Sequence, residues 1–371
     1  MPDPLKKTPL TELHREIGAR LVAFSSYEMP VQFTEGIIRE HLHTRDAAGL
    51  FDVSHMGQIM VTGDRAAEEL ETLMPANLLD LGVGQSTYSL LTTLNGGVYD
   101  DLIVTRDSET SFYLVVNGAC KAKDLERIAA GCPTSSVEML QERALLALQG
   151  PEARPVIGAL APEASSLTFM SGCHVSILET QCYVTCSGYT GEDGFELSVP
   201  AGRVETIARA LLGDPRVKPI GLGARDSLRL EAGLCLYGHE LSESITPIEA
   251  GLRWSISSAR RSTGARPLGF PGASIILDQL ALGSPRTRVG LKVTGKRPVR
   301  EGQEIQNGAG ESLGIVTSGG FGPSVDGPIA MGLMATASAV VGTVVFIDVR
   351  GKLLEAEIVT TPFIKQRYFR G

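Results

Sequence analysis

The sequence predicts an α+β protein made of two sheet-and-helix halves followed by a small β-rich unit. Three observations carry that expectation. Asn95-Gly96 sits between the strand-like runs 87–94 and 98–105, a strong short-range sign of an antiparallel hairpin. Four stretches repeat one local order: an apolar β-like run, a Gly or Pro break, then an amphipathic helix. From about Val289 the helical period is lost, and short β-like runs alternate with Gly-rich turns.

Along the chain, the first such stretch is 58–62, which passes through Gly63-Asp64 into a helix reaching Met74. Asp64 reads as its N-cap. The second, 112–116, passes through Asn117-Gly118 into a helix reaching Ala130. In the third, 144–148 leads through Gly150-Pro151 to a helix ending at Leu160, and Pro151 suits a first helical turn. The fourth runs from 195–199 through Pro200-Ala201-Gly202 into a helix ending at Leu212. Strands alternating with helices would also allow a parallel sheet, but the hairpin signal favours antiparallel ones. The two halves span about 1–140 and 141–278, with an exposed loop expected from Ala259 to Gly272. In 285–371 the β-like runs 288–293, 312–318, 329–333, 343–347 and 353–358 suit a small barrel or sandwich.

A chain of 371 residues with 43% hydrophobic and 20% charged content is large enough for two or three domains. Its net charge of −8 disfavours nucleic acid as a partner. An anionic ligand must therefore be caught by a local basic cluster. No apolar run approaches the ~18 residues of a membrane span. Residues 1–7 show neither a signal core nor a transit pattern. The expectation is a soluble chain, cytoplasmic in a bacterium, or of the mitochondrial matrix if a presequence has been removed. Of the six cysteines, Cys182 and Cys186 lie in a β-patterned run. Residues four apart on a strand sit roughly 13 Å from each other, too far for a disulfide. Reduced, buried thiols are expected.

Three constellations could carry chemistry. Glu196 lies on a strand otherwise built from Phe195, Leu197 and Val199, where an unpartnered charge is costly. Arg225 opens a helix that ends near Gly233, with Arg229 one turn on. Asp100 and Asp101 follow the hairpin turn, and successive strand side chains point to opposite faces. One is expected beside solvent. The other shares a face with Tyr99 and Ile103 if it is Asp101, or with Val98 and Leu102 if it is Asp100. Burial would raise its pKa into a range useful for proton transfer. The pattern alone does not choose between them. A basic set, Arg260, Arg261, Arg266, Arg286 and Arg288, reads as a loop cluster.

Other chemistries lack support. His41 and His43 diverge on a helix and have no partner at metal-ligand spacing. Asp52, Ser54 and His55 are neighbours in sequence, which is not triad geometry. Gly82-x-Gly84 and Gly221-x-Gly223 lack the third glycine of a dinucleotide site, and no P-loop is present.

The chain resembles the aminomethyltransferase (T-protein) family of the glycine cleavage system from Thr8 to Tyr368. The matching blocks are Leu50-Phe-Asp-Val-Ser-His-Met56, Gly96-Gly-Val-Tyr-Asp-Asp-Leu-Ile-Val104, Ala147-Leu-Gln-Gly-Pro151, Gly188-Tyr-Thr-Gly-Glu192, Gly223-Ala-Arg-Asp-Ser-Leu-Arg-Leu-Glu-Ala-Gly-Leu234 and Thr317-Ser-Gly319. Their order and spacing make the resemblance specific. Tyr27 and Glu28 stand where many members carry Gly-Trp.

The resemblance implies a three-domain cloverleaf around a central folate channel, with a C-terminal β-barrel at 285–371. It implies Asp101 as the catalytic carboxylate, orienting the folate nitrogens and stabilising a developing iminium cation. Met56, Tyr113, Asn117, Glu196, Arg225, Arg288 and Tyr368 are implied folate or substrate contacts. A pterin edge offers two adjacent donors that Glu196 can accept together, and arginines suit an acidic folate tail. Tetrahydrofolate is the implied co-substrate, with no metal or nucleotide. The implied partner is a lipoylated H-protein, and the chain is expected to be a monomer or weak oligomer. Related readings are a folate-dependent demethylase and a non-enzymatic iron–sulfur assembly factor. The latter carries a Lys-Gly-Cys-Tyr-like motif where this chain has Glu231-Ala-Gly-Leu-Cys-Leu-Tyr-Gly.

Overall fold

The Asn95-Gly96 turn closes a hairpin between Ser86–Thr92 and Val98–Ser108 in the computed structural model, which describes residues 4–371. Gly96 takes φ 79°, a left-handed conformation with no steric penalty for glycine. The hairpin continues through Ser111–Val116 and Gly57–Thr62 to Ser136–Met139, giving a five-stranded antiparallel sheet. Helices Ala66–Glu71 and Lys121–Gly131 cover one face, burying Leu70, Leu114, Val116 and Ile128. Residues 1–3, part of the stretch read for a leader, lie outside the described residues.

The second sheet runs in the order Ser171–Ile177, Thr180–Cys186, Gly194–Pro200, Arg143–Gln149, Ala48–Asp52, Val217–Pro219. It departs from the expected all-antiparallel sheet. Val217–Pro219 follows helix Val204–Leu212 and pairs parallel with Ala48–Asp52, because the helical crossover returns the chain in the same direction. The sheet also takes Ala48–Asp52 from the first 140 residues. Strand alternation divides its side chains. Phe195, Leu197 and Val199 join Ala144, Leu146 and Leu148 under helices Ala153–Leu160 and Val204–Leu212. Leu145 and Ala147 turn the other way, into a layer with Phe51, Tyr113 and Tyr183. Glu196 pairs with Ala147, so it belongs to that second face.

The C-terminal unit is a closed six-stranded barrel whose strand pairs are all antiparallel. Of the two forms the sequence allowed, closure selects the barrel and removes the exposed edges. A small sheet, Lys6–Lys7, Tyr27–Gln32 and Arg20–Phe24, completes the set. Among the described residues, no helix is long and apolar enough to cross a membrane.

Several local expectations shift. Helices start later than the cap residues suggested, at Ala66 rather than after Asp64 and at Ala153 rather than at Pro151. The arginine loop is not simply solvated. Arg260 is buried, and both it and Arg266 bind Glu71, a counter-ion 189 residues from Arg260 that local sequence cannot reveal.

One ion network ties the units together. Arg45, on helix Ile37–Asp46, donates to Glu192 at 2.7 Å and to Glu231 at 3.1 Å. Glu231 also accepts from His41 and from the Ser324 amide of the barrel unit. Glu192 accepts from Arg367 near the C-terminus at 2.6 Å. Removing one partner of such a buried set leaves uncompensated charge. Arg45→Met should therefore lower unfolding free energy by about 3 kcal/mol in urea titrations; a loss under about 1 kcal/mol would contradict the network's role.

Candidate active site

A cavity of about 1170 Å³ opens where the two large sheets, helix Leu222–Glu231 and the barrel meet. Ligand pockets usually occupy ~300–1,000 Å³, so the space exceeds that of one small ligand. Asp101, Met56, Asn117, Glu196, Arg225, Arg288 and Tyr368 all line it. Tyr113 does not. Its ring packs edge-on against Tyr183, and its hydroxyl donates to Gln58 at 2.9 Å in the layer between the sheets.

The Asp pair is divided by strand alternation. A bulge at Tyr99 changes the expected partition: Asp100 shares one face with Leu102 and the Tyr99 ring, against helix Lys121–Gly131, while Asp101 shares the other with Ile103 and Val98. Neither lies beside the turn in solvent, because the helix Lys121–Gly131 unit covers the face that was expected to be wet. Asp101 accepts from the Asn117 side-chain amide at 2.7 Å and from the Tyr88 hydroxyl at 3.1 Å. Its removal from water, reinforced by the neighbouring Asp100, pushes its pKa up to about 7.

Among the described residues Glu196 has one donor, the Ser187 hydroxyl at 2.9 Å. Burial raises its pKa, opposed by the Arg225 charge and that hydrogen bond. Arg225 lies over the Tyr189 ring at 4.9 Å, and its Nη1 is buried with no hydrogen-bond partner among the described residues. Such an orphaned donor beside an under-used carboxylate fits a polar ligand that supplies the missing partners. Arg288 is anchored to the carbonyls of Ala250 and Gly233, both at 2.8 Å. Tyr368 stacks on Phe169 with ring centroids 4.0 Å apart. Arg229 is buried, and binds Glu240 at 3.0 Å and the Ser318 hydroxyl at 2.9 Å. It is a structural strut rather than a solvated helical face.

Sequence reasoning missed Tyr88, His55, Tyr189 and Trp254, all of which line the cavity. The signal for Tyr88 was available: the hairpin register sets Leu90 opposite Asp101, which puts Tyr88 on the diagonal, within reach of a long side chain. His55 is kept neutral, its pKa lowered to about 4 by burial and by Arg225. Exposed Trp254 packs on Tyr88 with ring centroids 5.2 Å apart.

Comparison with known proteins follows the same lines. The model of the GCVT N-terminal domain matches residues 10–260, and that of the glycine cleavage T-protein C-terminal barrel domain matches 286–365. The mitochondrial aminomethyltransferase of Dictyostelium discoideum is 43% identical, over 98% of this chain and 94% of its own. That of Gallus gallus is 43% identical over 99% and 95%. The crystal structure of glycine cleavage system aminomethyltransferase T from Bartonella henselae superposes with a TM-score of 0.92 at 44% identity, covering 98% of this chain and 99% of that one. Both units of the fold, with the cavity between them, thus fall within one lineage, and the chain belongs to the glycine cleavage T-protein family. Its activity is that of the aminomethyltransferase of the glycine cleavage system. The family uses tetrahydrofolate, and membership in that system implies interaction with an H-protein.

The raised pKa of Asp101 is also a statement about stability. A carboxyl that binds its proton more tightly when folded stabilises the fold fully below its unfolded pKa. That contribution is lost as pH rises toward about 7. Asp101→Asn should thus be more stable than the parent at pH near 8, by ~1–3 kcal/mol, with the gain vanishing below about pH 4. A variant less stable at both pH values contradicts a strained carboxylate.

Proposed function

We propose that the cavity binds tetrahydrofolate with its pterin edge at Glu196 and its reacting nitrogens facing Asp101. In this reading the enzyme transfers the one-carbon unit from the aminomethyl-dihydrolipoyl group of the H-protein to tetrahydrofolate. The products are 5,10-methylenetetrahydrofolate, ammonia and dihydrolipoyl H-protein. The observation that carries the reading is the pairing, across one cavity, of two half-buried carboxylates on different sheets with an arginine whose donor lacks a partner among the described residues. The folate supplies the nitrogens that accept the carbon. The carrier supplies the carbon, and the chain binds, orients and stabilises.

Glu196 accepts from adjacent ring donors, which supplies the partners its strand position withholds. Arg225 adds a donor and a positive charge near the same edge, and Arg288 and Tyr368 line the outer part where an acidic tail runs. Met56 packs beneath the ring, and Asn117 acts through Asp101 by holding its carboxylate. Tyr113, one layer below, supports the floor. In its ionised form Asp101 orients the acceptor nitrogens and stabilises positive charge as it develops on the carbon in transfer. Tyr88 and Asn117 fix the carboxylate beforehand, so little reorganisation is needed at the reacting step. The space beyond one folate gives the lipoyl arm of the carrier a way in. On this view 1–278 forms the folate-binding region, its units at about 1–140 and 141–278, and with the barrel of 285–371 makes three lobes around the channel. A bacterial cytoplasm or a mitochondrial matrix would both suit this activity.

Replacing Asp101 with Asn should lower kcat by ~10²–10³ while calorimetry finds tetrahydrofolate affinity nearly unchanged. A fully active Asn variant would overturn the role. Glu196→Ala should weaken tetrahydrofolate binding roughly tenfold or more, and unchanged affinity would remove it from the pterin edge. Because Asp101 acts ionised, kcat/KM of the free enzyme should fall as pH drops below about 7. A rate flat from about pH 5 to 8 would contradict it.

A further inference from the structure

Behind Asp101 lies a second pair of acids that the reaction does not touch. Asp100 on Val98–Ser108 and Asp124 on Lys121–Gly131 are both 0% exposed. One carboxyl oxygen of each and the Cys120 sulfur lie within 4.8 Å of one another. Asp100 accepts from the Asn117 backbone N–H at 3.2 Å and from its side-chain amide at 2.9 Å. Neither oxygen of Asp124 has any hydrogen-bond donor among the described residues. Two ionised carboxylates cannot share so small a dry space, and a buried acceptor without a donor is costly. One proton resolves both problems. Placed on Asp124 it gives that residue a donor aimed at Asp100, and it leaves the charge on the carboxylate that already has donors.

We infer that Asp124 carries this proton and donates it to an ionised Asp100, and that the pair positions Asn117 and, through it, the carboxylate of Asp101. This rests on the reading of Asp101 as the reacting carboxylate. The link is a single amide group: Asn117 Nδ2 reaches Asp100 at 2.9 Å and Asp101 at 2.7 Å. An amide nitrogen has two hydrogens, so fixing one on Asp100 aims the other at Asp101.

The surrounding groups leave that arrangement intact. Burial, then the Asp100 charge, push the pKa of Asp124 up to about 10, and the same two causes keep Cys120 a thiol. Lys123 is turned aside, its ammonium held by the Tyr99 carbonyl at 2.6 Å and by the Tyr237 hydroxyl at 2.9 Å. Arg127 donates to the Thr92 carbonyl at 2.8 Å and lies over Tyr99. From the cavity side Asp101 meets Tyr88, with Tyr189 and Cys235 in the same wall, and burial keeps all three protonated. Asp100 is therefore the charge that Asp101 feels most.

Infrared spectra of the full-length enzyme with ¹³C-labelled aspartate carboxyls read the proton directly. At about pH 9, where ordinary aspartates are fully ionised, the parent should keep a protonated-carboxyl stretch that Asp124→Asn lacks. The Asp100→Asn enzyme should move the acid limb of kcat/KM down by about one pH unit. It should also lower kcat with little change in KM for tetrahydrofolate. Absence of the band from the parent at about pH 9, or an acid limb in Asp100→Asn that coincides with the parent's, would overturn the inference. The infrared band is independent of turnover and does not require a folded Asp100 variant. An active Asp101→Asn enzyme that keeps the band would indict the role of Asp101, not the proton on Asp124.

Discussion

The site depends on one amide. Asn117 stands between two carboxylates that belong to opposite faces of one strand, and donates a hydrogen to each. Without it Asp100 and Asp101 would face each other's charge with few donors, Asp100 fully buried and Asp101 half-buried. With it, one acid remains fixed in the core and the other is presented to the cavity with a raised pKa. Among the described residues no cation pairs with Asp101, and the donors it has, Tyr88 and Asn117, are neutral. A carboxylate so placed gains most when positive charge appears in front of it, and a developing cationic carbon is such a charge.

The larger architecture keeps that arrangement dry and correctly faced. The five-stranded sheet presents Asp101, while the six-stranded sheet presents Glu196 from the face that does not pack on helices. Tyr113, Tyr183 and Leu145 fill the layer between the sheets, so the two carboxylates are set by packing and not by loops. The barrel and the C-terminal segment close the remaining side. Arg45, Glu192, Glu231 and Arg367 lock that closure, and Tyr368 is carried into the cavity wall by the residue before it.

Much of this was legible in the sequence. Asn95-Gly96 announced the hairpin, and once the hairpin is fixed the alternation of Asp100 to Ile103 separates the two acids, while the bulge at Tyr99 that exchanges the faces of Val98 and Tyr99 left no sign. The same alternation put Glu196 apart from Phe195 and Leu197. What stayed hidden involves partners far apart in the chain. Ala48–Asp52 joins a sheet made mostly by residues beyond 140, and its short apolar run carries no sign of that. Arg260 reads as a solvated charge until Glu71 is brought against it. Tyr113 matched a ligand contact by family position, yet its strand face turns inward, where Gln58 takes its hydroxyl. Asp124 reads as an ordinary helix acid, because the helical pattern does not say that Asp100 lies beneath it.

The central claim is geometric, and a crystal structure of this enzyme with bound tetrahydrofolate tests it most directly. The expected result has the Glu196 carboxylate within hydrogen-bond distance of the pterin edge and the Asp101 carboxylate facing the reacting nitrogens, still bridged by Asn117. A coenzyme lodged elsewhere, or one whose reacting nitrogens turn away from Asp101, would contradict it.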